Sequence, residues 1–219
     1  MSTVQIGYWG GFHGLGIQVK LAAVLAGVKF EFKPVNAPEE FYGGLNQTLS
    51  TNFPNLPYIV DNGKVISQML ACMQHLAYAG GKEELVGKTP AEKVFQIQFA
   101  GAVGDIRSKF VGKNFANPKW QEEKDKEYET IKPLLARLYK ELGDKKFVTG
   151  DQVTLADIAL FHTVGVFTKL IGDKFTNDFP NFAKFYSNFT AIPEIVEFFN
   201  SANFDKNMAM MPPQSVFGV

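Results

Sequence analysis

Residues 52–68 read NFPNLPYIVDNGKVISQ, and this stretch decides how the first third of the chain folds. The Pro-Asn-Leu-Pro run that ends at Pro57 predicts a turn-rich entry. Beyond it, two short apolar runs flank Asp-Asn-Gly at 61–63, a composition that predicts a β-hairpin. A helix is predicted to follow from Gln68 to Ala79. A turn, a hairpin and a helix are therefore expected in direct succession.

The residues before this stretch predict a β-α-β unit. A strand is expected at Val4–Trp9 and, after a glycine-rich turn, a helix with one apolar face at 17–26. Residues 29–33 then alternate as a strand does. Two strands joined by a helical crossover lie parallel to each other. An irregular polar connection is expected at 36–52, before the hairpin.

The order β-α-β, loop, β-β-α resembles that of a thioredoxin-like domain. That fold usually has a cis-proline just before its third strand, where Pro57 stands, and a cis X-Pro bond costs only about 0.5–1 kcal/mol relative to trans. The resemblance implies a pocket at this turn that grips the backbone of a γ-glutamyl peptide.

Composition limits the classes of function. The 219 residues suffice for one large or two small domains, and 21 of them are Phe, which predicts helices packed through aromatic side chains. Lys plus Arg balance Asp plus Glu at 22 each, so we expect no nucleic-acid partner. Cys72 is the only cysteine and the three His residues are scattered, so neither an intrachain disulfide nor a metal site is predicted.

Targeting signals are also not visible in the sequence. The N-terminus has no signal-peptide pattern, and the uninterrupted apolar runs are much shorter than the roughly 18 residues of a membrane span. We therefore expect a cytoplasmic protein without a membrane span, a prediction that leaves assembly inside an organelle open.

The second half of the chain predicts helices. Long helices are expected at 90–115 and 119–142, and shorter ones at 180–190 and 192–200. Between these pairs, the run TLAD at 154–157 has the pattern of a capping box, which predicts a further helix start.

Several motifs, in the right order and spacing, resemble those of the glutathione transferase family and especially of its mu class. They are Gly7-Tyr8-Trp9, FPNLPY at 53–58, Ser67-Gln68, DQVTLAD at 151–157, DFPNF at 178–182 and AIPEI at 191–195. The resemblance covers essentially the whole chain. It implies a thioredoxin-like, glutathione-binding domain at 1–82, followed by an all-helical domain at 90–219 with the electrophile pocket and the dimer surface.

The reaction that the resemblance implies is attack of the glutathione thiol on an electrophilic carbon. A free thiol has a pKa near 8.5, so only a minority is thiolate at neutral pH. A hydrogen bond donated to the sulfur favours the thiolate. Tyr8, at the end of the first strand, is the predicted catalytic donor. The alternative is a purely structural strand tyrosine.

The resemblance also implies how glutathione is held. Leu56 is expected to pair with the backbone of the glutathione cysteine, and Gln68 to face the γ-glutamyl end, beside a helix N-terminus that favours a carboxylate. Asp105 is expected to reach the amine of the glutathione bound by a partner subunit, or else to be a solvated helix carboxylate. The predicted substrate-binding residues are Trp9, Asn55, Leu56, Pro57, Gln68, Met69 and Asp105.

Two positions depart from the family pattern. Met69 follows Gln68 where the family has a Ser or Thr, which removes a hydroxyl donor. Mu-class members hold the glycine end of glutathione with a Trp and a Lys, and residues 41–51 contain neither. Neutral donors in that stretch are the candidates to replace them, namely Tyr42, Asn46 and Gln47.

The electrophile is expected to lie among the loop after Tyr8, Phe110 on the first long helix and the C-terminal tail. The loop itself reads GGFHGLG at 10–16, which is an incomplete dinucleotide-binding fingerprint. His13 in this loop is either a neighbour of the thiol pocket or a loop histidine without a role.

Two functions follow from these observations. The first is a homodimeric, detoxifying transferase that conjugates glutathione, its co-substrate, to small hydrophobic electrophiles without any cofactor. The second is a non-catalytic binding or scaffold subunit of a larger assembly, which is suggested by Met69 and by the missing Trp and Lys. A Rossmann-type oxidoreductase is a distant third.

Overall fold

The computed structural model of the chain describes residues 3–206, 208–212 and 215–217. It divides into two compact units, of which the first contains residues 1–85 and 193–212 and the second contains residues 86–192 and 213–219. The last helix and the segment after it thus group with the first unit, whereas the domain division predicted above places them in the helical domain.

The first unit is built on a four-stranded mixed sheet in the order β2-β1-β3-β4. Its elements are β1 (Val4–Trp9), α1 (Gly16–Leu25), β2 (Phe30–Val35), α2 (Pro38–Glu40), a π-helical turn (Phe41–Leu45), α3 (Asn46–Thr48), β3 (Tyr58–Asp61), β4 (Lys64–Ser67) and α4 (Met69–Ala79). β1 pairs parallel with β2 and antiparallel with β3, which pairs antiparallel with β4. The predicted β-α-β, loop, β-β-α order is confirmed.

The second unit is helical in the residues that the structure describes. After a 3₁₀ turn at Glu83–Val86 its elements are α5 (Pro90–Arg107), a π-helical turn (Ser108–Gly112), α6 (Trp120–Leu142), α7 (Leu155–Ile171), α8 (Asp173–Asp178) and α9 (Pro180–Thr190). The following α10 (Pro193–Asn200) belongs to the first unit and packs against α1. No helix within the described ranges is both long and apolar enough to cross a membrane.

The turns around β3 form as the sequence indicated. The Leu56–Pro57 peptide bond is cis. In the hairpin, Asn62 and Gly63 both have positive φ values, 49° and 79°. Two consecutive positive φ values are typical of the tight turns that match the twist of a β-hairpin, which explains the Asn-Gly pair.

The connection before β3 is more regular than the irregular stretch that the sequence suggested at 36–52. Pro38 occupies the first turn of α2, and the carboxylate of Glu40 accepts a hydrogen bond from the Asn36 N–H at 2.8 Å. Proline and acidic residues both favour the first turn of a helix. The expectation of an irregular connection was therefore wrong for residues 38–48.

The high Phe content packs the helices of the second unit, as expected. The Phe167 ring stacks on Phe110 and on Phe175, with centroid distances of 4.7 and 5.5 Å. Phe161 stacks in the same way on Phe189 at 4.4 Å. Aromatic pairs of this kind add stabilisation beyond the area that they bury.

Asp157 anchors the predicted capping box at the start of α7. One of its carboxylate oxygens accepts from the backbone N–H and the hydroxyl of Thr154, at 2.7 and 2.8 Å. The other oxygen accepts from the Val148 N–H at 2.7 Å. The box therefore also ties α7 to the loop before it.

The Cys72 thiol on α4 is expected to be inert in the folded protein. Cys72 is fully buried, and its Sγ lies 3.3 Å from the Ile66 carbonyl oxygen. Burial raises the pKa of the thiol to about 12, so thiolate is scarce at neutral pH. An aromatic disulfide reagent should label no thiol in the native protein and one per chain in guanidinium. Labelling of the native protein at the rate of free cysteine would contradict this.

Candidate functional site

Tyr8 lies near the carboxyl end of β1, where its side chain is 6% exposed. Its ring meets that of Phe12 edge-on, at a centroid distance of 5.7 Å. Leu15 and Leu56 pack in the same apolar cluster. The predicted catalytic tyrosine is therefore held firmly, between β1, the loop after it and the turn before β3.

Two glycines of the loop make room for this tyrosine. A Cβ atom on Gly14 would lie 2.4 Å from the Tyr8 Oη, and one on Gly16 would lie 2.5 Å from the Tyr8 Cδ1. Both distances are far below van der Waals contact, so any larger residue would displace the ring or the loop. The Gly-x-Gly pattern thus has a packing role here, which accounts for it without a phosphate.

The hydroxyl of Tyr8 receives a hydrogen bond from the loop. The backbone N–H of Leu15 donates to the Tyr8 Oη at 3.0 Å. Accepting this bond does not consume the proton that the phenol itself donates. In a chain of hydrogen bonds each bond polarises the next, so the Leu15 amide makes the Tyr8 hydroxyl a better donor. This arrangement is suited to stabilising an anion in front of the hydroxyl.

The turn at Leu56 presents a backbone amide that already has an acceptor. The Leu56 N–H donates to the Oδ1 of the preceding Asn55, at 2.9 Å. The Asn55 side chain is exposed and also donates through Nδ2 to Gln68 Oε1, at 3.4 Å. Three of the predicted binding residues are thus brought together, and a peptide ligand must displace the Asn55 side chain to reach the Leu56 amide.

Gln68 precedes α4 in an unusual backbone conformation, with φ 71° and ψ 116°. For a residue other than glycine this region is sparsely populated, and such residues are concentrated at ligand sites. Gln68 gives α4 no side-chain cap. The first N–H groups of a helix have no partner within it, so the turn that begins at Met69 offers backbone donors to an anion.

The stretch predicted to replace the missing Trp and Lys lies against the end of β1. The Trp9 ring meets Phe41 edge-on at 5.8 Å and Tyr42 at 6.4 Å. Tyr42 is 64% exposed, so its hydroxyl faces solvent beside Trp9. Asn46 has a buried Oδ1 without a hydrogen-bond partner among the described residues, while Gln47 is exposed.

Two predicted residues belong to the second unit. Asp105 is exposed on α5. This exposure fits a carboxylate that contacts the glutathione of a partner subunit, and it fits a solvated carboxylate equally well. Phe110 is only 1% exposed and stacks on Phe167. It is a core residue of its own unit, and the expectation that it lines an electrophile pocket was wrong.

The sequence suggested that the loop after Tyr8 and the C-terminal tail lie near one pocket, but it predicted no direct contact between His13 and that tail. His13 is 6% exposed, its Nε2 lies 3.1 Å from the carbonyl oxygen of Asp205, and its ring stacks on Phe204 at 4.9 Å. The contact with Asp205 joins residues 192 positions apart, which no local pattern could reveal. No cluster of three His, Cys, Asp or Glu side chains suited to a metal ion occurs within the described part of the chain.

Two family models match the chain. The model described as "Glutathione S-transferase, N-terminal domain" matches residues 4–78, and "Glutathione S-transferase, C-terminal domain" matches residues 104–202. Among curated relatives, the class-mu 26 kDa isozyme 51 of Fasciola hepatica is 27% identical over 210 residues, which cover 92% of this chain and 90% of the relative. Glutathione S-transferase Mu 1 of Rattus norvegicus is 28% identical over 206 residues, 91% of each chain.

Solved structures show the same fold. The glutathione S-transferase Blo t 8 superposes with a TM-score of 0.82 at 20% identity, covering 98% of this chain and 100% of the other. Monomeric Na-GST-3 from the hookworm Necator americanus superposes with a TM-score of 0.78 at 19% identity, covering 94% and 100%. Since one family's models match both halves and mu-class relatives align along nearly the whole length, the chain belongs to the glutathione S-transferase family.

Proposed function

We propose that this protein is a glutathione transferase that conjugates the glutathione thiol to hydrophobic electrophiles, with Tyr8 stabilising the thiolate. The observation that carries the proposal is the hydrogen bond from the Leu15 N–H to the Tyr8 Oη, at 3.0 Å. It orients the phenol and polarises its O–H bond toward a bound sulfur. The family of the relatives supports the same reaction class.

The chemistry of the proposed step is simple. The thiol loses its proton to solvent, and the Tyr8 O–H donates to the sulfur anion, which lowers the pKa of the thiol. The thiolate then attacks the electrophilic carbon. With an aryl halide the new C–S bond forms as the C–halogen bond breaks, and the halide leaves with the bonding electron pair. Tyr8 keeps its proton throughout, so it is an electrostatic stabiliser and not a base.

Glutathione itself is proposed to lie along the Leu56 turn and the start of α4. Its cysteine backbone pairs with Leu56 once the Asn55 side chain has moved away, and its γ-glutamyl carboxylate meets the N-terminus of α4 beside Gln68. The remaining predicted contacts, at Trp9, Pro57 and Asp105, complete this proposal, and Asp105 requires a homodimer. A detoxifying role in the cytoplasm stays a prediction.

A glutathione titration followed by calorimetry tests this proposal, together with turnover of a general aryl-halide substrate. We expect one site per chain, with a Kd between about 1 μM and 1 mM, and glutathione-dependent release of halide. The absence of both binding and turnover at millimolar glutathione would overturn the proposal.

A second function is favoured by two features of the proposed glutathione site, one at the start of α4 and one at the Leu56 turn. Met69 offers no hydroxyl at the helix start, and the Leu56 amide is occupied by Asn55. Both features weaken the grip on glutathione, as expected for a non-catalytic binding or scaffold subunit. The same titration distinguishes the two functions. For a scaffold subunit we expect no heat of glutathione binding, and we expect the subunit to co-purify with another protein.

Replacing Met69 by Ser is expected to tighten glutathione binding about tenfold, because a hydroxyl adds a donor to the γ-glutamyl carboxylate and hydrogen bonds to charged groups are worth roughly 1.5–3 kcal/mol. Calorimetry on both proteins measures the change. Met69→Ala is the matched control, since it removes the same side chain without adding a donor. If Met69→Ser binds no tighter than Met69→Ala, the γ-glutamyl carboxylate does not lie at this helix start.

A further inference from the structure

Three consecutive backbone N–H groups of the loop after β1 each donate a hydrogen bond to an acceptor outside the loop. The N–H of His13 donates to the Ala209 carbonyl at 2.8 Å, and that of Gly14 to the Met210 carbonyl at 3.2 Å. The next N–H along the chain, that of Leu15, donates to the Tyr8 Oη. The amide that meets the hydroxyl is thus next to two amides held by the C-terminal segment.

The side chain of His13 fastens the same segment at a second point. Its Nε2 lies 3.1 Å from the Asp205 carbonyl oxygen, and a carbonyl only accepts, so Nε2 carries the proton. The ring stacks on Phe204, and Phe12 forms a parallel bridge with Ala209. The segment is therefore attached both by backbone pairing and through the imidazole.

The imidazole is suited to this fixed role because it stays neutral. Its Nδ1 is buried and has no hydrogen-bond partner among the described residues, so a second proton would have no acceptor. Burial is the main cause that lowers the pKa of His13, and the Lys20 ammonium on α1 lowers it further. The Asp205 carbonyl and carboxylate oppose this shift but do not reverse it. At neutral pH a single tautomer, with the proton on Nε2, therefore holds the segment.

We propose that His13 and the C-terminal segment, residues 204–206 and 208–210, are positioning residues for Tyr8. The segment accepts from the His13 and Gly14 amides, and the His13 imidazole donates to it. Together these bonds fix the direction of the Leu15 N–H, and thereby the polarity and orientation of the Tyr8 hydroxyl. This inference rests on the proposed function of Tyr8. It predicts that residues outside the proposed glutathione contacts control the ionisation of bound glutathione and leave its affinity nearly unchanged.

The test compares His13→Phe, which keeps a ring to stack on Phe204 but loses the Nε2 donor, with the wild type and with Tyr8→Phe. Ultraviolet absorbance of the thiolate gives the pKa of bound glutathione, and hydrogen exchange reports on the loop amides. For His13→Phe we expect a thiol pKa higher by about half a unit to one unit, exchange of the residue 13–15 amides about five- to tenfold faster, and a Kd within about twofold.

Further variants separate positioning from general stability. His13→Gln restores an N–H donor at similar reach and should recover most of the lowered thiol pKa. Phe204→Leu is a milder change in case His13→Phe does not fold, and it should shift both readouts in the same direction. His75→Phe is the matched control, because His75 pairs with Asp61 at 2.8 Å elsewhere in the unit and should alter neither readout.

The outcomes distinguish this inference from the function on which it rests. If Tyr8→Phe raises the thiol pKa but His13→Phe and Phe204→Leu leave it and the amide exchange unchanged, the positioning role is overturned and the transferase proposal stands. If wild-type protein leaves the pKa of bound glutathione at its value in solution, both are overturned.

Discussion

Replacing Tyr8 by Phe is expected to lower kcat/KM for an aryl-halide substrate by about ten- to a hundredfold, because a hydrogen bond to a charged sulfur is worth roughly 1.5–3 kcal/mol. The substitution keeps the ring that Gly14 and Gly16 accommodate, so packing survives. It removes the donor and leaves the Leu15 N–H without this acceptor. The thiol pKa of bound glutathione should rise by the base-ten logarithm of this factor. The affinity for glutathione should change little.

Steady-state kinetics over a range of pH measures this effect. Loss of a thiolate stabiliser shifts the rise of kcat/KM to higher pH. The loss of kcat/KM in Tyr8→Phe should therefore be largest near neutral pH and should shrink at alkaline pH, where the thiol ionises without help from Tyr8. Tyr78→Phe is the matched control, because Tyr78 is 48% exposed on α4 and should tolerate loss of its hydroxyl. Equal kcat/KM for wild type and Tyr8→Phe at neutral pH would make Tyr8 a structural strand tyrosine.

Replacing Asp157 by Ala is expected to destabilise the protein by about 2–4 kcal/mol, because it leaves three buried donors without their acceptor. These are the N–H and hydroxyl of Thr154 and the N–H of Val148. Asp157→Asn should cost somewhat less, since its amide oxygen still accepts from one side. Chemical denaturation gives the free energies of unfolding, and Asp151→Ala, at an exposed position in the preceding loop, is the matched control.

The cost of losing Asp157 should also depend on pH. Burial raises the pKa of this carboxyl from 3.8 to about 6, against the hydrogen bonds from Val148, Thr154 and its own backbone that favour its charged form. A raised pKa means that the folded state binds the proton more tightly, so the stability from this group is full below about pH 4 and declines as the pH rises through about 6. The loss on substitution should therefore be larger at pH 5 than at pH 7. An equal loss at both values would contradict the raised pKa.

Local patterns predicted most of the fold. The strands β1 to β4, the positive-φ turn at Asn62 and Gly63, and the helices α1 and α4 lie within one or two residues of their expected positions. These elements are specified by periodicity and by turn residues, both of which act over a few positions. The short helical turns at 38–48 were missed because they lack an apolar periodicity long enough to read.

The candidate site was only partly predictable. The sequence could nominate Tyr8, Leu56 and Gln68 through motifs, but Phe110 was misplaced because burial depends on what packs against a helix face. Asn55 occupies the Leu56 amide through a side-chain rotamer that no sequence pattern specifies. The burial of Phe110 is decided by tertiary packing, which overrides local propensity.

By itself the sequence determined the order of the strands and the longer helices, the cis turn at Pro57 and the family, because those depend on local propensities and ordered motifs. Only the tertiary structure brought His13 to Asp205 and Ala209, and set the Leu15 amide on the hydroxyl of Tyr8. Hydrogen bonds between residues distant in sequence need the rest of the fold to bring their partners within about 3 Å of each other, and no local pattern encodes that approach.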